Sequence, residues 1–400
     1  MGRSSQAMHI RSLVEAWKAD GHEVTVLSPP GVDPLKAAGL MPLFRKEDRA
    51  TGFQRIWKYM SCECPQFIFE VFELLYNLSL PFRLLPILWR QPEAILYERH
   101  AYFMFMGVLL GKWMKRPVVL EVNELAGFKR ARGLVMERLA QRIDAFVFSR
   151  ANHIMCVSSV LADETLQRGA NADRVHVLPN AIDPNRFRTL EPAQSLRARL
   201  GLEGSIVIGH VGLFHLWDRL DMLIEVMRNI RERHPEAKVL LVGDGPEMTN
   251  LKQTASRLGM EGAVIFSGPV SRDEVPAYID AMDICVLPDS NAFGSPIALF
   301  EFMAMSKPCV VPDLGPMHDV IDDNLTGFIF PRADSGAMGK ILLRLLENPG
   351  FRNQVGARAK QTVFERHTWA ANARFIVQLA AGERSARPFA HMKRLDCDTQ

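Results

Sequence analysis

The stretch "SIVIGHVGLFHLWDRLDMLIEVMRNIRERHPEAKVLLVGDG", residues 205–245, sets the fold class. It opens on a short, almost continuous apolar run (205–212), passes through a helical pattern, and returns to a second apolar run (237–245) ending in Gly243-Asp244-Gly245. A run of four to eight apolar residues without alternation is the mark of a strand covered on both faces, the usual state in a parallel sheet. The unit repeats along the chain. Before it lie the strand candidates 22–29, 94–98, 117–123, 153–158 and 175–180, and after it 263–268, 284–288, 308–313 and 327–330. Strand-helix alternation over this length predicts an α/β protein with doubly wound parallel sheets.

The strands fall into two groups, divided by "NAIDPNRFRTLEPAQS" (180–195), which is rich in Pro, Asn and charge. We therefore expect two Rossmann-like domains, 1–183 and 184–365, facing a central cleft, with a helix at about 366–384 crossing back to the first domain and a polar tail over 385–400. Ligands of such sheets bind beyond the carboxyl ends of the strands. The first domain is unusual at its start. The chain begins within what looks like the turn after a first strand, so that strand is either absent or encoded upstream.

Composition narrows the class. The 400 residues are 48% hydrophobic and 23% charged, with a net charge of +3, which gives no reason to expect nucleic-acid binding. Six cysteines form no C-x-x-C set, so reduced thiols and a cytoplasmic setting are expected. No signal peptide is expected at the start. Two apolar stretches, 67–89 and 101–113, are read as buried helices, since charge and proline interrupt the first and the second is too short to span a bilayer. A secondary expectation for 67–89 is contact with the inner face of a membrane.

A set of motifs carries a family resemblance. In order they are "GHEVTVLSP" (21–29), "ILYERHAYF" (95–103), "PVVLEVNE" (117–124) and "ANHIMCVSSVLADETLQRGANADRVHVLPNAIDPNRF" (151–187). They continue with "HVGLFHLWDRLDMLIEV" (210–226), "LLVGDGPE" (240–247), "IFSGPVSRDEVPAYIDAMDICVLP" (265–288), "SPIALFEFMAMSKPCVVPD" (295–313) and "ERHTWAANA" (365–373). This series, spread over nearly the whole chain, resembles the family 4 glycosyltransferases of the GT-B fold. The resemblance implies sugar transfer from a nucleotide donor with retention of anomeric configuration, no cofactor and no required metal. It implies as partners a nucleotide sugar of UDP or GDP type and a carbohydrate, lipid-linked or small-molecule acceptor.

The candidate donor site follows from both lines. Ser295-Pro296 reads as a helix start, with serine as N-cap and proline at the first helical position. The amides of Ile297 and Ala298 then suit a diphosphate. Glu301, one turn on, matches the family's ribose-binding acid; a local pairing role is the other reading. Gly294 and Phe293 precede the helix. Gly243 is expected to shape the cleft wall, and Gly268, ahead of Pro269, to mark the loop that meets the base.

Several positions depart from the family. Phe293 stands where a second acid contacts the donor sugar, and Ala298 where a basic residue is common. Leu213 and Asp218 occupy the places of the phosphate-binding Arg and Lys, leaving Arg219 and His215 as the cationic candidates. Asn123 replaces a histidine near the reacting sugar. Ala181 replaces a glycine in the hinge, where a positive φ would be strained. Gln6 and His9 are the acceptor-side candidates. Two readings stay open: an active transferase, and a GT-B protein with weakened or no catalysis that partners an active transferase. A sugar-nucleotide epimerase is a third and would need further carboxylates.

Overall fold

A computed structural model describes residues 5–28, 35, 65–128, 133–187 and 193–382. The described helices are α1 Ser5–Ala19, α2 Gln66–Arg90, α3 Met106–Trp113, α4 Glu137–Phe148, α5 Ser159–Gln167, α6 Ala193–Arg199 and α7 Leu220–Arg231. They continue with α8 Met248–Arg257, α9 Val275–Asp280, α10 Ile297–Ala304, α11 Gly315–His318, α12 Ser335–Glu347, α13 Pro349–Arg366 and α14 Trp369–Ala380. The strands are β1 Leu96–Arg99, β2 Val118–Val122, β3 His153–Cys156, β4 Val175–Val177, β5 Ile206–Leu213, β6 Ala237–Asp244, β7 Val264–Gly268, β8 Ile284–Val286, β9 Cys309–Pro312 and β10 Phe328–Phe330.

Two parallel sheets form, one of order β1-β2-β3-β4 and one of order β10-β9-β8-β5-β6-β7. Each expected strand from 94 onward appears, within a few residues of its predicted ends. The segment 22–28 does not pair into a sheet, contrary to expectation. Its Val and Leu carry the propensity, but a strand needs a neighbour to take its backbone groups, and none is supplied among the described residues.

The chain divides into two compact units. Of the described residues, one unit contains 5–28, 35, 180–187 and 193–371; the other contains 65–128, 133–179 and 372–382. Helix α1 therefore groups with the larger sheet, while residues 372–382 join the smaller one, where Asn372 Nδ2 donates to Pro179 O (3.0 Å).

In the larger unit, alternate strand residues separate into two cores. Val207, Val211, Leu240, Val242, Cys285 and Val311 face one layer, with α10 and α13. Ile208, Val239, Leu241, Ile284 and Val310 face the other, with α7 and α12. This is the two-sided burial that continuous apolar runs predict. Cys156, Cys285 and Cys309 are buried and unpaired, and burial raises the Cys156 thiol to about 12.

Two glycines permit close backbone approach. Gly243 has φ +134°, and a Cβ there would lie 1.9 Å from Gly212 O, where β5 and β6 end together. Gly356 lets α13 press on the turn after α10, because a Cβ would lie 2.0 Å from Ser306 O. Ala181 needs no glycine: it lies outside the left-handed region, so the anticipated hinge strain is absent. Its neighbour Ile182 bridges to Thr368, with Ile182 N donating to His367 O (3.0 Å).

Candidate functional site

The larger sheet has its topological switch at β5, which has β6 on one side and β8 on the other. At such a switch the loops leaving adjacent strands diverge and open a crevice at the carboxyl ends. The loop after β5 carries His215, Asp218 and Arg219. The loop after β8 carries Asp289 and runs through Phe293 and Gly294 into α10. The two loops touch, with Asp289 N donating to Asp218 O (3.1 Å).

Helix α10 differs from expectation at its start. Pro296, not Ser295, is the N-cap, with φ −73° and ψ 119° and no side-chain cap. The Ser295 hydroxyl is used elsewhere: it accepts from Asn180 N (3.0 Å), while Ser295 O accepts from Asn180 Nδ2 (2.6 Å). A serine before a proline looks like a cap in sequence, but the hinge backbone has claimed its oxygen. The first intrahelical-type bond runs from Leu299 N to Pro296 O (3.1 Å). Ile297 and Ala298 thus lie in the first turn, where amides lack intrahelical acceptors. Ahead of the helix, Asn291 Oδ1 accepts from the amides of Phe293 (3.2 Å) and Gly294, folding that loop into a tight Asx turn.

Glu301 is 8% exposed and sits among buried Phe300, Phe302 and Met303. Its carboxylate has a charged neighbour. Arg272, in the loop after β7, brings Nη2 to 3.7 Å from Oε1. That is an ion pair beyond hydrogen-bond length. Among the described residues the Glu301 carboxylate accepts no hydrogen bond. Burial raises Glu301 above the usual carboxylate range, and Arg272 and Arg186 pull it back. Burial likewise brings Arg272 down to about 10, opposed by Glu301, so the guanidinium stays charged at neutral pH. Arg186 Nη2 donates to Arg272 O (2.9 Å) and fixes the loop. The result is a buried acid with open acceptor capacity, flanked by cations.

The β5–β8 corner has the opposite character. Asp218 Oδ2 accepts from His215 N (2.9 Å). Burial raises Asp218 to about 7, that bond lowers it, and the charge of Asp289 raises it further. Arg332 Nε reaches both Asp289 oxygens (3.0 and 3.1 Å). Arg219 adopts φ 49° and turns to Asp221, with Nε to Oδ1 at 3.1 Å. His215 stacks on Trp217 at 4.2 Å, and burial lowers its pKa. The two cationic candidates are therefore both near the switch point, with Arg219 engaged by its own neighbour.

The remaining candidates lie apart from this crevice or serve it indirectly. His9 is buried, and its Nδ1 lies 2.7 Å from Asn180 Oδ1, so the His9 ring braces the residue that holds Ser295. The Gln6 side chain lies outside the described residues. Gly268 ends β7 with φ +74°, a conformation suited to glycine. Asn123 belongs to the smaller unit, where its Nδ2 donates to the buried Glu121, which also accepts from the Tyr97 hydroxyl and pairs with Arg99 (3.2 Å).

Sequence reasoning overlooked Arg272, Arg186, Asp289 and Arg332. All four stand in ordinary polar loop contexts, and only the strand order reveals that those loops converge. Asp289 alone had a signal, as the first charged residue after a buried apolar strand.

Comparison with known proteins agrees with this architecture. Residues 6–186 match the model described as Glycosyltransferase Family 4, and residues 193–362 the model described as Glycosyl transferases group 1. An uncharacterised glycosyltransferase of Methanocaldococcus jannaschii is 25% identical over 373 residues, covering 91% of this chain and 90% of that protein. The alpha-D-kanosaminyltransferase of Streptomyces kanamyceticus is 24% identical over 263 residues, 64% of this chain and 68% of that one. Among solved structures, Anabaena HepE in complex with UDP and glucose superposes with a TM-score of 0.60 at 21% identity, covering 69% of this chain and 75% of its own. Matched in both halves, the chain is a glycosyltransferase of the GT-B fold, with a family-4-like amino-terminal domain and a group-1-like carboxy-terminal domain.

Proposed function

We propose that the protein moves a sugar from a nucleoside diphosphate donor to an acceptor hydroxyl with retention of configuration, and that the donor seats in the larger unit. The observation that carries this is Glu301, a buried carboxylate with unused acceptor capacity on the helix that leaves the switch-point loop. A vicinal diol donates two hydrogen bonds to one carboxylate, so the ribose of the donor fits it. The likeness to HepE, whose structure holds UDP, supports a uridine nucleotide as the first donor to try.

In the reaction the acceptor oxygen bonds to the anomeric carbon on the face from which the phosphate leaves. The bond from that carbon to the phosphate oxygen breaks, and the acceptor proton passes to the departing oxygen. No protein base is required. What the site must supply is stabilisation of developing negative charge, by amides at the start of α10 and by cations. Arg272 and Arg186 lie beside Glu301, and Arg332 and Arg219 near Asp289. Metal independence belongs to this same reading.

A second reading, a nucleotide-binding partner subunit with little turnover, draws support from Asp218 and Asp289, two acids near the place of the leaving diphosphate. One experiment separates them. Incubation with UDP-glucose, UDP-N-acetylglucosamine or GDP-mannose, followed by assay of released nucleoside diphosphate, gives turnover above the no-enzyme rate in the first reading. In the second, nucleotide binds and none is released. Product formed with an inverted anomer would sink the retaining mechanism.

A further inference from the structure

Helix α2 is apolar on its exposed face as well as on its buried one. Exposed Ile68, Phe72, Leu75, Ser79, Phe82, Pro86 and Trp89, spaced by three and four, trace one face of the helix, with exposed Phe67 and Leu78 beside it and Arg90 at its end. Phe82 is 84% exposed and Trp89 66%. The opposite face is buried and holds Phe69, Leu84 and Leu88 together with two polar side chains, Glu70 and Asn77. Glu70 is fully buried and accepts from Val135 N and Met136 N (both 2.8 Å) ahead of α4. Asn77 is buried and bonds Phe103 O (2.8 Å), Phe105 N (3.0 Å) and Met106 N (3.1 Å) at the start of α3. Arg83 folds onto the Tyr76 hydroxyl (2.8 Å).

A helix on a water-facing surface turns charged and polar residues outward, which α2 does not. An uncharged, largely apolar stripe about 32 Å long, at ~1.5 Å per residue, is far more than the scattered exposed apolar groups of ordinary surfaces. The bonds made by Glu70 and Asn77 tie the helix flat to its unit, which fits lying on a surface rather than crossing one.

Charge at one end identifies the surface. Arg116 Nη2 donates to Leu88 O (3.3 Å), so the end of α2 adjoins the end of α3. Exposed Trp89 and Arg90 thus belong to the same end as exposed Lys112, Trp113 and Lys115. Beside them Lys112, Lys115 and Arg116 join Asn152 and His153 around a recess of about 440 Å³. Glu93 is the acid in the turn that follows α2. Two exposed tryptophans among lysines and arginines suit the headgroup region, where an indole has one apolar and one wet edge and a cation meets lipid phosphate.

We propose that α2 docks this protein on an anionic lipid bilayer, with the stripe from Ile68 to Trp89 entering the acyl boundary and Arg90, Lys112, Lys115 and Arg116 holding lipid phosphates. The docking is independent of donor binding, which concerns the other unit.

Vesicle co-sedimentation of the full chain tests this, with phosphatidylcholine alone or with about one third phosphatidylglycerol. We expect at least about tenfold more protein bound to the anionic vesicles, and release by salt. Phe82→Glu combined with Trp89→Glu replaces only exposed side chains and should cut binding about tenfold. Lys112→Glu with Lys115→Glu should remove the preference for anionic lipid. Wild-type protein that ignores anionic vesicles, or binding unchanged in the first variant, overturns the proposal. So does a lipid-free dimer that Phe82→Glu dissolves, because the stripe would then belong to a second copy.

Discussion

Asp218 stands at the switch point where a diphosphate-binding site is expected to carry a cation, and its environment makes it a proton switch. Its folded pKa, about 7, lies above the ordinary aspartate value of 3.8. A carboxyl raised in this way favours the folded state while protonated, and that contribution declines as pH rises from about 4 to about 7. Asp218→Asn keeps an acceptor for His215 N and removes the charge. At pH 8 it should gain on the order of 1–2 kcal/mol in urea unfolding, after allowance for partial solvent exposure, and nothing at pH 4. It should also tighten UDP binding by about three- to tenfold at pH 8, since a like charge near the diphosphate is gone. A pH-independent effect of the substitution would show that Asp218 does not titrate in this range. His9 is a second residue-scale case. His9→Ala leaves Asn180 Oδ1 buried without its partner and should cost about 1–3 kcal/mol. Denaturant melts of the variant measure this directly. At this scale the sequence showed which residue types were unusual but not their partners. Glu301 was recognisable as an acid in an apolar run, whereas Arg272, in the loop after β7 and far from it in sequence, meets it only through the fold.

Elements were the most legible layer. Strands such as 118–122 and 237–244 are apolar without interruption, and burial on both faces leaves them no other fold to adopt. Two elements misled. The segment 22–28 had strand propensity without a pairing partner, and 67–89 was read as a buried helix because charge and proline interrupt it, yet much of one face is exposed. Periodicity bears on the second: Glu70 and Asn77, seven positions apart, share one face of the helix, and the structure buries that face together with Phe69, Leu84 and Leu88. The cap of α10 failed for a different reason. Local sequence favoured Ser295, but Asn180, more than a hundred residues earlier, holds both its hydroxyl and its carbonyl. Helix α13 offers an element-scale prediction. Gly356→Ala places a methyl against Ser306 O and must push the helix from the turn that follows α10, costing about 1–3 kcal/mol. Thermal unfolding of the variant should show a clear drop in Tm, and an unchanged Tm would mean that the close approach is not a stabilising contact.

At the scale of the whole molecule, two parallel sheets with their own cores divide the polypeptide into units, and each carries a distinct surface chemistry. The larger unit concentrates ionisable groups at its switch point. The smaller one presents an apolar helix beside a basic recess. The family resemblance made the double-sheet architecture readable from motif order, because each motif sits at a strand end or helix start where geometry restricts residue choice. The chemistry of the site was less readable, since it departs from the family at the charged positions. Whether those departures leave a working donor site turns on one acid. Isothermal titration of UDP into wild-type protein and Glu301→Ala is the most direct test. The account predicts saturable binding to wild type and at least about a tenfold weaker Kd in the variant, as expected when a ligand's diol loses a charged acceptor. Equal affinity for the two proteins, or no heat with wild type at millimolar UDP or GDP, would contradict it.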